Sequence, residues 1–257
     1  MPAWWGDVEA PENQWCHWRI GALSLFAHCN QSEWHFAWKR GDDPLELTLT
    51  REFGITADPD LDDTEQARFV FTGEHHRLTL QPKLADRPVI ARPEFPVFVP
   101  PGQRVILYVS TALWLQLSAA ASPLIEIPIT RPSDTWFGAN TRLGELCYAS
   151  LTRARTSDAG HPPFPHRATT PVDITNEGAT PLQIQQIRVP VPALALYASD
   201  AGHIVTDAVH LHRLADEDHA TLEISSDGER QAVERIAEPR EASEPGTVVQ
   251  AFTKFFS

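Results

Sequence analysis

The chain has 257 residues, 42% of them apolar and 21% charged, enough for one large domain or two smaller ones that each bury a core. Its 34 acidic and 21 basic residues give a formal charge of −13, a field that repels phosphate backbones and argues against nucleic acid as a partner. No stretch approaches the ~18 uncharged apolar residues of a membrane span, so membrane insertion is not expected.

Residues 1–7 contain neither a basic nor an apolar signal region, and a cytoplasmic location is the expectation. Period-two alternation then predicts strands over 16–20, 33–39, 45–50, 67–72, 77–81, 104–109, 113–117 and 125–129. The inward sets read Trp34, Phe36 and Trp38; Leu45, Leu47 and Leu49; Phe69 and Phe71; Leu78 and Leu80; Ile125, Ile127 and Ile129. Strand 104–109 is apolar on both faces after Arg104, as a doubly covered central strand would be. Gly73, Glu74 and His75 read as a tight hairpin.

The second half continues with strands over 145–153, 168–176, 181–191, 204–213 and 221–225. Along Leu182, Ile184, Ile187 and Val189 the apolar phase slips at Gln185 and Gln186, which predicts a β-bulge. Asn176, Glu177 and Gly178 supply a turn, with Gly178 expected at positive φ. Ser226 and Glu229 form a capping box before Val233, Ile236 and Ala237, and Pro239 stops the pattern. Thr247 and Gln250 repeat it before Phe252, Phe255 and Phe256, so short C-terminal helices are expected. An echo of the segment from Pro96 to Leu115 in that from Pro171 to Leu196 suggests two similar units. The expected fold is therefore all-β, two packed β-sandwich-like units with short C-terminal helices, dividing into residues 1–132 and 133–257.

Chemistry-bearing motifs are sparse. Cys16, Cys29 and Cys147 are odd in number and form no CxxC pair, which argues against both a disulfide framework and a thiolate zinc site. His210 and His212 share a strand face, but Val209 and Leu211 take the core side and no third ligand is apparent; no metal or cofactor is expected. The run from Asp58 to Asp63 resembles the start of a calcium loop, yet Asp63 and Phe69 stand where glycine and a bidentate glutamate belong. No nucleophile elbow, phosphate-binding glycine loop or zinc-protease helix motif occurs. Six of the eight tryptophans fall within the first 38 residues; Trp18, Trp34 and Trp38 lie on inward faces, and Trp4 and Trp5 are the freest. Exposed tryptophans would stack on sugar rings, which makes a carbohydrate-binding module one alternative.

The richest block runs from Thr135 to Arg155. One reading is structural: Trp136 and Phe137 anchor a crossover, and Glu145 pairs with Arg153 or Arg155. The other is a polar cleft at the junction of the two units, in which Trp136, Glu145, Tyr148, Arg153, Arg155 and His166 hold a small anion or serve an enzyme.

The order of motifs resembles an uncharacterised family, a domain of unknown function found in bacteria and archaea. The resemblance rests on the early tryptophan and Ile20-Gly21, on Arg92-Pro93, on Gly138 with the run from Gly144 to Tyr148, and on Pro171-Val172 leading to Asn176. It implies no established activity and no catalytic residues. Gene neighbourhoods in that family imply a link to mechanosensitive channels or envelope stress. The expected function is a non-catalytic binding or interaction module whose partner is a protein, a small molecule or a second copy of the chain.

Overall fold

A computed structural model describes residues 3–73, 75–138, 142, 144–157, 164–199, 202–213, 219–225, 233–242 and 247–250. The chain forms two compact units: unit 1 takes residues 1–83, 113–131 and 164–166, and unit 2 takes 84–112, 132–163 and 167–257. Both units are discontinuous in sequence: residues 84–112 lie in unit 2, between segments of unit 1.

Unit 1 opens with β1 (Gly6–Glu9), β2 (Trp15–Ile20), β3 (Leu23–Cys29), β4 (Glu33–Arg40), β5 (Leu49–Ile55), β6 (Glu65–Val70) and β7 (Arg77–Lys83). The chain enters unit 2 for β8 (Val89–Ala91), β9 (Val97–Val99) and β10 (Gln103–Ala112), then returns to unit 1 for β11 (Trp114–Ala119) and β12 (Ser122–Pro128). Unit 2 is completed by β13 (Asp134–Phe137), β14 (Glu145–Ala149), β15 (Arg167–Asn176), β16 (Leu182–Ile184), β17 (Ile187–Val189), β18 (Leu196–Ser199), β19 (Ile204–Thr206), β20 (Ala208–Arg213), β21 (His219–Ser225), β22 (Val233–Ala237) and β23 (Thr247–Gln250). Among the described residues the one helical element is a 3-10 turn at Val191–Ala193, so the protein is all-β.

In unit 1 the sheets run β5-β2-β3-β4-β6 and β1-β7-β11-β12. Alternation explains the core: Trp18 and Ile20, Leu23 and Leu25, and Trp34 and Phe36 are buried, as are Leu78, Leu80, Leu115 and Leu117. Trp34 stacks on Phe36 with ring centroids 5.6 Å apart, and its Nε1 donates to the His75 carbonyl at 2.8 Å. The hairpin between β2 and β3 turns through Gly21, at φ +55°. A Cβ there would lie 2.7 Å from His166 Cε1, so the buried imidazole fills the space that glycine leaves open.

Unit 2 holds the sheet β22-β18-β19-β15-β20-β21-β23, with β10 also paired to β15, beside the sheet β13-β14-β8-β17 and the pair β16-β9. Val172, Ile174, Val209 and Leu211 are fully buried on one side of the large sheet, together with Leu107 and Val109 of β10.

Several expectations are corrected. The helices expected near the C-terminus are strands over their described parts: β22 pairs with β18 and β23 with β21. Open edges of neighbouring strands take up backbone bonds that a short isolated helix would have had to satisfy alone, and this tertiary demand overrides a three-residue apolar stripe. Ser226, Glu229, Phe252, Phe255 and Phe256 lie outside the described residues. The phase slip at Gln185 and Gln186 is a change of sheet, because β16 pairs with β9 whereas β17 pairs with β8. All four apolar residues around it stay buried. Gly73 lies on a connection between two sheets, since β6 pairs with β4 and β7 with β1 and β11. Leu45 and Leu47 are exposed and precede β5, and Ile106 shows that the second face of β10 is open. The turn at Asn176 is built by its side chain, whose Oδ1 accepts from Gly178 N at 3.1 Å, and Gly178 is absent from the positive-φ glycines.

Candidate functional site

The junction block folds as two short strands. β13 and β14 pair antiparallel, with Thr135 opposite Cys147 and Phe137 opposite Glu145; β14 then pairs parallel with β8, with Tyr148 opposite Val89. Phe137, Cys147 and Ile90 form a small buried cluster. Period two sends neighbours to opposite faces. Thr135 and Ala149 therefore face one way, with Ile90, while Trp136 and Tyr148 face the other.

On the face of Thr135 and Ala149 lies a cavity of about 210 Å³, lined by Ile90, Arg92, Thr135, Ala149, Ser150, Leu151, Thr152 and Arg153. The chain places the two arginines side by side. Pro93 bridges Ala154 in parallel register, and Ala154 N donates to the Arg92 carbonyl at 2.9 Å, so Arg92 and Arg153 occupy adjoining positions. Like charges in that relation repel. Among the described residues no carboxylate lines the cavity to offset them.

A third cation lies behind the wall. Arg167 is 4% exposed, and its Nη2 donates to the Ser110 carbonyl at 2.6 Å and to Thr152 Oγ1 at 3.2 Å, while Nε donates to Ser110 Oγ at 2.9 Å. Its Nη1 has no hydrogen-bond partner, and no carboxylate pairs with it among the described residues. Burial pulls the guanidinium down to about 10. Thr152 Oγ1 also donates to the Ser110 carbonyl at 3.1 Å, tying the cavity lip to β10. The sum is a small polar hollow with positive charge on its lip and behind it.

Of the six residues singled out from sequence, Arg153 lines this cavity. Trp136 is 47% exposed on the reverse face, so its expected role as a buried anchor is corrected; Phe137 takes that role at 3% exposure. Glu145 pairs with Arg188, at 2.5 Å to Nε and 2.8 Å to Nη2, instead of with Arg153 or Arg155. Tyr148 donates to Asp86 Oδ1 at 3.0 Å, and Arg87 lies over its ring at 5.2 Å. Burial and the Asp86 carboxylate together push the Tyr148 phenol above its ordinary range. Arg155 is exposed, and its backbone bridges Tyr108 through bonds of 2.7 and 3.1 Å. His166 belongs to unit 1, where its Nε2 lies 3.0 Å from the Pro44 carbonyl.

Sequence reasoning missed Arg92, Ser150, Thr152 and Arg167 as site residues. Arg92-Pro93 carried a signal only as a motif, since nothing local says that the segment will lie against Ala154. Trp4, expected to be free, is 3% exposed and donates to the Pro165 carbonyl at 2.6 Å. The three thiols are buried, and desolvation pushes each of them up to about 11, as inert core cysteines. Among the described residues no three His, Cys, Asp or Glu side chains gather to hold a metal, and no helix is long and apolar enough to cross a membrane.

No curated protein and no solved structure matches the chain. Residues 4–257 match the family model described as protein of unknown function (DUF432), as the resemblance in its motifs implies, and the chain belongs to that family.

Proposed function

We infer that the protein is a binding module for a small anion, held in the unit 2 cavity by Arg92 and Arg153. The observation that carries this reading is the placement of two arginines on adjoining segments with no acid among the described lining residues. An oxyanion between them turns a repulsion into two charge-assisted interactions, and Thr135, Ser150 and Thr152 supply hydroxyls around it. The volume suits an ion of phosphate, sulfate or short-carboxylate size, since drug-sized ligands occupy about 300–1,000 Å³. The cavity binds without chemistry in this reading, because its described lining residues include no histidine, cysteine or carboxylate to act as base or nucleophile. Two β-sandwich-like units in a cytoplasmic protein provide the frame for this reading, and a link to channel or envelope regulation would make the anion its signal.

A thermal-shift screen tests it. Phosphate, sulfate or a small dicarboxylate should raise the melting temperature beyond the effect of chloride at equal ionic strength, following the mass-action dependence of a ligand that binds only the folded state. A flat response across all anions overturns the reading.

A further inference from the structure

The open face of the large unit 2 sheet carries a row of polar residues that the cavity does not use. Four adjacent strands contribute one residue each: Arg104 of β10, Asp173 of β15, His210 of β20 and Ser225 of β21. Asp173 stands directly opposite His210 in the parallel register, and His210 stands opposite Glu223, two residues before Ser225. The reverse side of the same strands is the buried core of Val172, Ile174, Val209 and Leu211, which fixes the row's orientation.

The bonds along the row have a direction. Arg104 clamps the carboxylate, with Nε 2.6 Å from Asp173 Oδ1 and Nη2 2.5 Å from Oδ2. An ionised carboxylate only accepts, so His210 Nδ1, 3.1 Å from Asp173 Oδ2, carries the proton and donates it. In the neutral ring Nε2 is then the acceptor. Ser225 Oγ lies 2.9 Å from Nε2 and must donate to it. The result is a hydroxyl held on the basic nitrogen of an imidazole whose tautomer is set by a buried carboxylate, the arrangement by which serine nucleophiles are activated. Asp173 is 8% exposed whereas His210 and Ser225 are half-buried, so the orienting group is sheltered and the reacting groups can be reached. Arg104 shares the carboxylate charge, so Asp173 contributes orientation more than basicity.

We propose that Ser225, His210 and Asp173 form a nucleophile, general base and positioning residue for acyl transfer from carboxylic esters. Ser225 Oγ attacks the ester carbonyl carbon, and its proton passes to His210 Nε2. The bond from that carbon to the alkoxy oxygen breaks, and the alcohol leaves with the proton from Nε2. Water then attacks the acyl-serine, gives its proton to Nε2, and the acid departs as Ser225 is restored. The net change is ester plus water to acid plus alcohol, with no other reactant. The open sheet face favours small, unhindered acyl groups.

The test is covalent labelling of the full chain by an alkyl fluorophosphonate, located by peptide mass spectrometry, together with hydrolysis of p-nitrophenyl acetate. The expected result is one phosphonyl adduct on Ser225, absent in Ser225→Ala and formed about 100-fold or more slowly in His210→Ala, the scale of general base catalysis. Asp173→Asn reads the positioning role separately. Nitrogen-15 chemical shifts of the His210 ring should show the proton on Nδ1 in the wild type and on Nε2 in the variant, with labelling slowed at an unchanged melting temperature. If Asp173→Asn does not fold, the Ser225 and His210 variants decide alone. No adduct on Ser225, or an adduct formed equally fast in His210→Ala, overturns the proposal and leaves the row as a structural hydrogen-bond chain.

Discussion

Each unit has an open cavity with arginine in its wall, and the two differ in how the charge is answered. The unit 1 cavity is the larger, about 480 Å³, and is lined by Asp7, Glu9, His75, His76, Arg77 and Thr79 among others. There Arg77 Nε donates to Glu9 Oε1 at 2.9 Å, and Thr79 Oγ1 donates to Asp7 Oδ1 at 2.7 Å. The unit 2 cavity is less than half that size, yet Arg92 and Arg153 meet no acid among its described lining residues. Charge balance, not volume, therefore singles out the cavity for which an anion is proposed. A self-neutralised hollow gains little from an ion, whereas adjoining cations gain attraction and lose repulsion together.

If unit 1 is chiefly scaffold, its costliest position is one of packing. Gly21→Ala puts a side chain at φ +55° against His166. The left-handed backbone costs about 1–2 kcal/mol and the overpacking about 1–3 kcal/mol more, so urea unfolding should show a loss of about 3 kcal/mol. A change under about 1 kcal/mol would mean that the imidazole can move aside, and that unit 1 is less tightly specified than unit 2.

Alkaline titration distinguishes four buried groups by sign. Cys16, Cys29 and Cys147 rise from 9.0 to about 11, so folding binds their protons more tightly; that stability is complete below pH 9 and is lost as pH rises toward 11. Arg167 runs the other way. Its folded value falls from the ordinary guanidinium range to about 10, so above pH 10 the unfolded chain holds the proton better and this group adds stability as pH rises. Denaturant melts should decline from pH 9, and Arg167→Met should decline more steeply than wild type above pH 10. Parallel curves for the two proteins would show that the folded guanidinium holds its proton as firmly as the unfolded one, against the effect of its burial.

At neutral pH Arg167→Met should leave stability within about 1 kcal/mol of wild type, because an isosteric apolar side chain removes the desolvation penalty along with the bonds. The same variant should bind anions more weakly. Trp136→Ala should shift stability by about 1 kcal/mol or less, since half of the indole is already in water. Arg153→Ala in anion-free buffer should give the smallest effect, a gain on the order of a few tenths of a kcal/mol from relieved repulsion. Chemical denaturation of the three variants side by side checks the order.

Much of the fold was legible because alternation is a local signal. Trp34, Phe36, Leu78 and Leu80 announce their faces within a few residues, and they are buried as read. The terminal strands were not legible, because Val233 to Ala237 fits a helical stripe until the open edge of β18 is known. The site was half legible. Thr135 and Trp136 lie in the same conspicuous block, yet the less conspicuous of the two reaches the cavity, since adjacent strand residues point apart. Arg92 and Arg153 are 61 positions apart in the chain, and only the bridge between Pro93 and Ala154 makes them neighbours. His210 was read correctly as facing away from the core, but its bonds to Asp173 and Ser225 depend on the order of three strands that sequence does not supply.

Isothermal titration calorimetry with sodium sulfate, on wild type, on Arg92→Ala/Arg153→Ala and on Arg77→Ala, addresses the contrast between the cavities most directly. One sulfate bound per chain in the wild type and in Arg77→Ala, with no binding in the double variant, is the predicted result. Binding that survives in the double variant, or that vanishes in Arg77→Ala, would contradict the assignment of the anion site to unit 2.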